Sequence, residues 1–578
     1  MSRLTKILKG REIVICGIGK FQEDFQYVFD TLKPKFYISD DFDGEYYKEL
    51  PVYRTFELKN MDLDNILIVV CDLNVLKSTN ETRDWNRLED EGYLWGKDFV
   101  FADELFTTLD FDPEDYAHGR KIAFWGTGAE CRMVYVTDKI GKSNITPDIF
   151  IDNDENKSGK MFNGVEIFHP SELENVWQDY YVVVMTHDYY HEIYEYLSEK
   201  GLREIEDFVS YHLIYKRTYA LPSEMMRKVV YATPIEGQPF CQTPFNMIHL
   251  RLDGHAIGCS CPAYVDWQFS VFGNYSYEPY QNIWQSASAK IFRLSILNNT
   301  YCFCKEKVCD IMNPDRKENI NVERRMEPEK TAVPPHVFLE MDDVCNLQCP
   351  SCRVEPKYIN YGRQYQSRRV RAEKLIQSGW LEKTPELTLA GHGEVFYSKV
   401  YRKVLFHNNT EKRNHITVLS NGILFNEKEF FRLMENYKSI SAIISVDGVR
   451  KETYEKLRPG AKFEILMKNL EMLSRQKKCG NLAYWQINFV VQRENYLQMK
   501  DLILLSQRWG VDNVQFIHIM NWLYPQEEFD KMSMATQEGI LKPELAEYLK
   551  DPIFDNPMVS MPWFKSRLDI LKKADTCK

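Results

Sequence analysis

Residues 344–353 read VCNLQCPSCR: Cys345, Cys349 and Cys352 fall within eight positions of a 578-residue chain that holds fourteen cysteines in all. The apolar run HVFLEMD leads directly into them, and five more strand-like runs follow: ELTLAG, HITVLSNG, SAIISVDG, YWQINFVVQ and NVQFIHIM. Helical stretches such as YEKLRPGAKFEILMKNLEMLSRQ lie between the runs. Short buried strands alternating with helices predict a parallel sheet. Six such units predict a partial (βα)6-type barrel over 335–525, with its site in the loops at the strand C-terminal ends. The thiols sit in the first of those loops.

Composition excludes several other roles. The chain is 44% hydrophobic and 27% charged with a net charge of −11, the balance of a soluble, well-packed globular protein, and its 578 residues predict three or four domains. No dense Lys/Arg stripe is present, so nucleic acid is not an expected partner. The basic run SRRVRAEK (367–374) reads as a solvated helix face. The longest apolar runs are strand-sized, well short of the roughly 18 residues of a membrane span. The N-terminal MSRLTKILKGREIVI has neither an apolar signal core nor a cleavage site, so a cytoplasmic location is expected. Most cysteines cluster between 241 and 352, which in an intracellular chain argues for metal or cluster ligation.

The C-x3-C-x2-C spacing folds a short loop in which three thiolates converge. Iron–sulfur clusters usually take four thiolates, so three leave one iron open to an outside ligand. A structural zinc loop is the alternative, but zinc needs a fourth N or S donor. His336 precedes the strand and His392 lies a strand away.

EMDDVCNLQCPSCR resembles the cluster loop of radical S-adenosylmethionine (SAM) enzymes. LAGHGE resembles that family's GGE segment, which contacts the SAM amino group; here it comprises Gly391, Gly393 and Glu394, with His392 between the glycines. Ser420 and Asn421 of SNG, Ser445 and Asp447 of SVDG, Arg458, and Asn495 at the end of VVQREN look like the later strand-end segments flanking SAM. The residue before the third cysteine is Ser351, where the family more often has an aromatic. The resemblance implies that Cys345, Cys349 and Cys352 hold a [4Fe-4S] cluster whose open iron chelates SAM. Reduction of SAM there gives methionine and a 5′-deoxyadenosyl radical that abstracts hydrogen from a substrate. A flavodoxin- or ferredoxin-like protein would supply the electron.

Upstream stand Cys241, Cys259, Cys261, Cys302, Cys304 and Cys309. With Asp253-Gly254, Gly273-Asn274, Ile283-Trp284 and Arg293, they resemble the SPASM domain, an auxiliary-cluster module. The resemblance implies an auxiliary [4Fe-4S] cluster on Cys241, Cys261, Cys304 and Cys309, with Cys259 or Cys302 as substitutes or as ligands of a second cluster. A zinc-stabilised loop domain is the alternative. The family usually places this module after the barrel, whereas here it comes before.

The front of the chain repeats one pattern. REIVICGIGKFQEDFQYVFDTL, KFYISDD and PVYRTFEL are echoed by RKIAFWGTGAECRMVYVTDKI, IFIDNDE and GVEIFHPSEL. Each copy predicts a Rossmann-like unit. Gly17 and Gly19, then Gly126 and Gly128, open helices that could receive an anion, and Asp40 and Asp152 lie at the distance of a ribose contact. Gln22 and Cys131 stand where the dinucleotide fingerprint has its third glycine. The second copy also resembles, through WGTGAEC and IDNDENKSGKMFNGVEI, the N-terminal domain of bacterial nucleotide-sugar acyltransferases. Ligand binding and pure scaffolding both remain open for these turns.

The expected α/β organisation is therefore Rossmann-like units at 1–112 and 113–218, a cysteine-rich SPASM-like domain at 222–312, a linker at 313–334, the radical SAM barrel at 335–525 and a helical tail at 526–578. The resemblance implies oxidation, epimerisation or cross-linking of a substrate that is either a sugar or nucleotide-sugar, or a peptide or protein. A metal-stabilised binding protein with a non-catalytic barrel is the alternative.

Overall fold

The computed structural model describes residues 3–568 apart from 72–83, 133–134, 136–144, 215–218, 238–239, 260–263, 307–308, 310–311, 313–330, 353–357, 359, 392, 408–411 and 522–523. Most of the expected linker, together with Cys261 and His392, lies outside the described residues. The chain divides into two compact units. One comprises Met1–Phe245 with Ile257–Pro328, the other Asn246–Ala256 with Glu329–Lys578.

The first unit contains two six-stranded sheets of one topology. In the first, the order is Tyr46–Tyr47, Leu50–Tyr53, Pro34–Ile38, Glu12–Cys16, Ile66–Val70, Phe99–Phe101. In the second, the order is Met161–Phe162, Val165–Phe168, Ile149–Ile151, Lys121–Trp125, Tyr180–Val184, Phe208–Ser210. Pairing is parallel except in the two small hairpins. The central strands are covered on both faces, which is why Val14-Ile15-Cys16 and Ala123-Phe124 are uninterrupted apolar runs. Strand order reverses beside Glu12–Cys16 and beside Lys121–Trp125, the doubly wound arrangement of open α/β sheets. The repeat in sequence is thus a repeat of topology.

The cysteine-rich stretch packs on the helix Ala287–Leu297, which buries Ile291, Phe292, Leu294 and Ile296. Arg293 on that helix is buried, stacks over Trp284 at 4.1 Å and donates to the carbonyls of Pro244 (2.8 Å) and Trp284 (3.0 Å). The stretch 222–312 is not one body, however. Asn246–Ala256 leaves it and joins the second unit.

The second unit is built on eight consecutive parallel strands: β1 (Met247–Leu250), β2 (His336–Leu339), β3 (Glu386–Leu389), β4 (Arg413–Ser420), β5 (Tyr437–Ser445), β6 (Tyr484–Val491), β7 (Asn513–His518) and β8 (Val559–Ser560). The six predicted strands are β2 to β7. β1 and β8 extend them, and neither was foreseen: β1 lies in the cysteine-rich zone, and β8 is two residues of the tail read as purely helical. Helices Gly362–Gln377, Lys399–Leu405, Glu427–Asn436, Phe463–Lys478 and Met499–Trp509 separate β2 through β7.

Register assigns the faces. Ile248, Val337, Leu387, Ile416 and Ile440 align and are buried, forming the helix-covered face. The opposite face carries His249, Phe338, Thr388, Thr417 and Ser441 in one row, and Leu419, Ile443 and Gln486 in the next. It is markedly more polar. Gln486 bridges to Asn488 (2.7 Å) and Gln515 (2.8 Å) across β6 and β7.

The basic run 367–374 proves not to be a solvated face. Arg371 and Lys374 are buried, Arg371 donates to the Leu252 carbonyl at 2.8 Å, and Arg368 is spent on two carboxylates described below. Charge density alone could not show that acids of the cysteine loop would meet this helix.

Candidate active site

At the C-terminal ends of β2 to β6, a cavity of about 250 Å³ is lined by Cys345, Cys349 and Cys352, by Gly391, Gly393 and Glu394, by Ser420 and Asn421, by Ser445 and Asp447, and by Arg458. These are the sequence-selected residues, drawn from segments more than a hundred positions apart. Asn495 is the exception. It is fully buried beside the site, and its side-chain amide donates to the carbonyls of Asp447 (3.0 Å) and Val490 (2.9 Å), so it braces the β5 and β6 ends rather than lining the cavity.

The cysteine loop is fixed at several points. Arg368 reaches Asp342 (2.6 Å) and Asp343 (2.5 Å) at its start, and the Ser398 hydroxyl also donates to Asp342. The Tyr401 hydroxyl donates to the Ala390 carbonyl (2.6 Å) and accepts from Met341 N (3.1 Å), tying the β2 and β3 ends together. Tyr524 donates to the Pro350 carbonyl at 2.9 Å. The Leu347 amide points at the Cys345 sulfur (3.4 Å). Sequence reading missed Arg368, Tyr401 and Tyr524, because nothing local distinguishes them from ordinary helix and loop residues.

Gly393 has no alternative here. A Cβ on it would stand 2.7 Å from the Asp342 carbonyl oxygen and 3.1 Å from that of Val344, because its backbone lies against the cysteine loop. Gly391 has φ +118°, and its Cβ would meet Glu340 Cγ at 2.6 Å. The glycines therefore let the β3 loop close onto the thiol loop.

Glu394 is buried, and its carboxylate accepts from the Ser420 hydroxyl (2.8 Å) and Asn421 N (2.7 Å). Burial raises its carboxyl above the ordinary value, with those hydrogen bonds pulling the other way. Asp447 accepts from Arg458 Nε at 2.9 Å and Nη2 at 2.8 Å, and its other oxygen accepts from Val490 N at 2.8 Å. Burial works against the Arg458 charge, but Asp447 and Cys349 more than offset it and raise its pKa. Burial pushes the Cys349 thiol up to about 11, with Arg458 opposing. A fixed cation beside a buried thiol favours a thiolate once a metal replaces its proton.

In the other unit, a cavity of about 170 Å³ is lined by Cys241, Cys259, Cys304 and Cys309 among apolar residues including Tyr264, Phe292 and Met312. Cys259 lines this cavity with the other three, and Cys261, the ligand preferred from the sequence, lies outside the described residues. Cys302 is not on the wall but is near enough to act on Cys304, whose thiol is raised by burial and then by Cys241, Cys309, Cys259 and Cys302. Among the described residues, no group of three or more His, Cys, Asp or Glu closes to the spacing of a single metal ion.

At the Gly-x-Gly turns, the candidate ribose acids are already engaged. Asp152 accepts from Thr127 N (3.1 Å) and its hydroxyl, and pairs with Lys157 at 2.9 Å. Asp40 accepts from Thr55 N (2.9 Å) and Oγ1 (2.7 Å), and pairs with Arg87 at 2.7 Å. Each acid ties its own sheet together.

Residues 339–505 match the family model described as Radical SAM superfamily, and residues 118–206 match the model described as C2185-like, N-terminal. Among solved structures, the chain is similar to Streptococcus suis SuiB bound to the precursor peptide SuiA: 15% identity over 41% of this chain and 52% of that one, TM-score 0.29. It is similar to native anSMEcpe with bound AdoMet and Cp18Cys peptide at 18% identity over 39% and 62%, TM-score 0.29. For TYW1 with a lysine-pyruvate adduct bound, the values are 19%, 38% and 72%, TM-score 0.24. The chain thus spans about half the length of SuiB. No curated protein matches it.

Proposed function

We propose that this chain, whose residues 339–505 match the Radical SAM superfamily model, cleaves SAM reductively and uses the resulting radical to take hydrogen from a substrate. One observation carries this reading: the three thiols, the glycine–carboxylate segment and the later strand-end polar groups share one cavity. Cys345, Cys349 and Cys352 would hold a [4Fe-4S] cluster. When bound, cluster and SAM together supply the one-electron cleavage of the sulfonium. The chain contributes the rest. Gly391 and Gly393 bring backbone close to the thiol loop, Glu394 would offer a buried carboxylate to the SAM amino group, and Asp447 with Arg458 forms a fixed ion pair in the cavity wall. Walls closed in this way exclude water from a reactive centre.

Cys241, Cys259, Cys304 and Cys309 would hold an auxiliary [4Fe-4S] cluster in the apolar cavity of the first unit, with Cys261 or Cys302 as substitutes. A flavodoxin- or ferredoxin-like reductant in the cytoplasm would supply electrons. No described helix is long and apolar enough to cross a membrane. The substrate would be oxidised, epimerised or cross-linked, and either a sugar derivative or a peptide remains compatible with the cavity.

The test is anaerobic reconstitution with iron and sulfide counts, on the intact chain and on a Cys345/Cys349/Cys352 triple alanine variant. About eight irons should fall to about four, with 5′-deoxyadenosine formation lost. One zinc per chain, no labile sulfide and no 5′-deoxyadenosine would instead identify a metal-stabilised binding protein.

A further inference from the structure

Two adjacent carboxylates stand just ahead of the first thiol, and one cation answers both. Asp342 is 1% exposed and Asp343 5% exposed, with Cys345 two residues further on. Arg368, from the helix Gly362–Gln377, donates through Nη1 to Asp342 Oδ1 at 2.6 Å and to Asp343 Oδ1 at 2.5 Å. Asp342 Oδ1 also accepts from the Asp343 amide at 3.0 Å, and its other oxygen accepts from the Ser398 hydroxyl. The backbone of the same two acids is wedged in place. A Cβ on Gly393 would stand 2.7 Å from the Asp342 carbonyl oxygen, so this stretch lies directly against the segment that carries Glu394.

Neighbouring carboxylates repel each other, and the more so out of water. Burial opposes the Arg368 charge, yet Asp343 and Asp342 outweigh it and raise its pKa, so the cation stays in place. Without it, the repulsion is relieved by taking up a proton or by shifting the backbone that leads into Cys345. A second buried arginine on this helix makes a contrast. Arg371 donates through Nη1 to the Leu252 carbonyl at 2.8 Å, in the turn after β1 rather than in the thiol loop. The two arginines share helix and burial, and differ in what they hold.

Resting on the function proposed above, we infer that Arg368 is a positioning residue for the SAM-cleaving cluster. By neutralising Asp342 and Asp343, it sets the place of Cys345 relative to Gly393 and Glu394 before any metal is bound. Arg368 is not among the residues that line the cavity, so its effect passes through the two acids. The thiols and the glycine–carboxylate segment form one site only while that charge is present.

The test compares wild type, Arg368→Met, Arg368→Met/Asp343→Asn and Arg371→Met as full chains, with two readouts. In the metal-free chain, hydrogen–deuterium exchange is followed over the peptide spanning 342–352. In the reconstituted, dithionite-reduced chain, the change in the cluster's electron paramagnetic resonance signal on adding SAM reports the open iron. Arg368→Met should exchange several-fold faster than wild type over 342–352 and lose most of the SAM-induced change. Asp343→Asn removes one charge at nearly constant shape, so the double variant should recover much of both. Arg371→Met should match wild type in both readouts, even where its melting temperature falls. If Arg368→Met does not fold, Arg368→Lys takes its place, with a smaller change in the same direction, because the shorter ammonium lacks the guanidinium fork. Wild-type exchange and SAM response in the Arg368 variant overturn the inference. So does a double variant no better than Arg368→Met, or an Arg371→Met as impaired as Arg368→Met. A wild type with neither a SAM-sensitive signal nor 5′-deoxyadenosine overturns the proposed function and the role given to Arg368 toward the cluster. The exchange rates alone still decide whether Arg368 sets the thiol loop.

Discussion

At the scale of the residue, the site is held by groups that have no solvent to fall back on. Asp447 is 1% exposed and is satisfied by Arg458 and Val490 N. Replacing Arg458 with methionine leaves that carboxylate buried and unpaired, and breaking such a pair costs about 3–5 kcal/mol. The urea midpoint of Arg458→Met should fall accordingly, and the double variant Arg458→Met/Asp447→Leu should recover much of the loss. A midpoint unchanged in the single variant would mean that the ion pair contributes little. Most of these residues were legible in the sequence because strand-end segments carry their own marks: glycine where backbone must approach backbone, and a short polar residue just after an apolar run. Asn495 carried such a mark but turned out to brace backbone, since a side-chain amide serves either role equally well.

At the scale of the element, β7 and the end of the chain are coupled. His518, the last residue of β7, stacks on Trp563 at 3.9 Å, and burial, helped by Arg567, lowers its pKa to about 4. The unfolded chain, with a histidine near the ordinary value of about 6.5, binds a proton across the window in which the folded chain does not. Stability contributed by neutral His518 is therefore present above that window, is lost as pH falls toward 4, and changes no further below it. Relative to a His518→Gln variant, the wild-type urea midpoint should decline between neutral pH and pH 4, whereas parallel curves would contradict the burial of a neutral ring. Element types in β2 to β7 followed from apolar runs separated by long helices. β8 could not, because two residues have no period.

At the scale of the whole molecule, the chain order of the domains is not the order of the folded units. Asn246–Ala256 runs with the barrel sheet although more than seventy residues of the other unit intervene before the chain returns to it. A barrel expressed from residue 329 would lack β1, exposing β2 as a bare edge beside buried Val337 and Leu339. Uncovered edges of this kind template pairing between chains. The fragment 329–578 should elute as oligomers or aggregate on size-exclusion chromatography, and adding a 246–256 strand through a short linker should reduce this. A monomeric, well-folded fragment would show that β1 is dispensable to the sheet.

The sequence by itself determined the parallel βα repeat, the thiol loop at the end of its first predicted strand, the glycines beside it and the doubling of the front sheets. Each of these is written in local spacing, the period of apolar residues or the need for a missing Cβ. Only the tertiary structure decided that Arg368 would hold the thiol loop, that Cys241, Cys259, Cys304 and Cys309 would line one cavity, and that β1 would bring His249 to Glu340. Those pairings join positions separated by tens of residues or more, and their energy comes from burial and charge neutralisation that exist only once the chain has closed on itself.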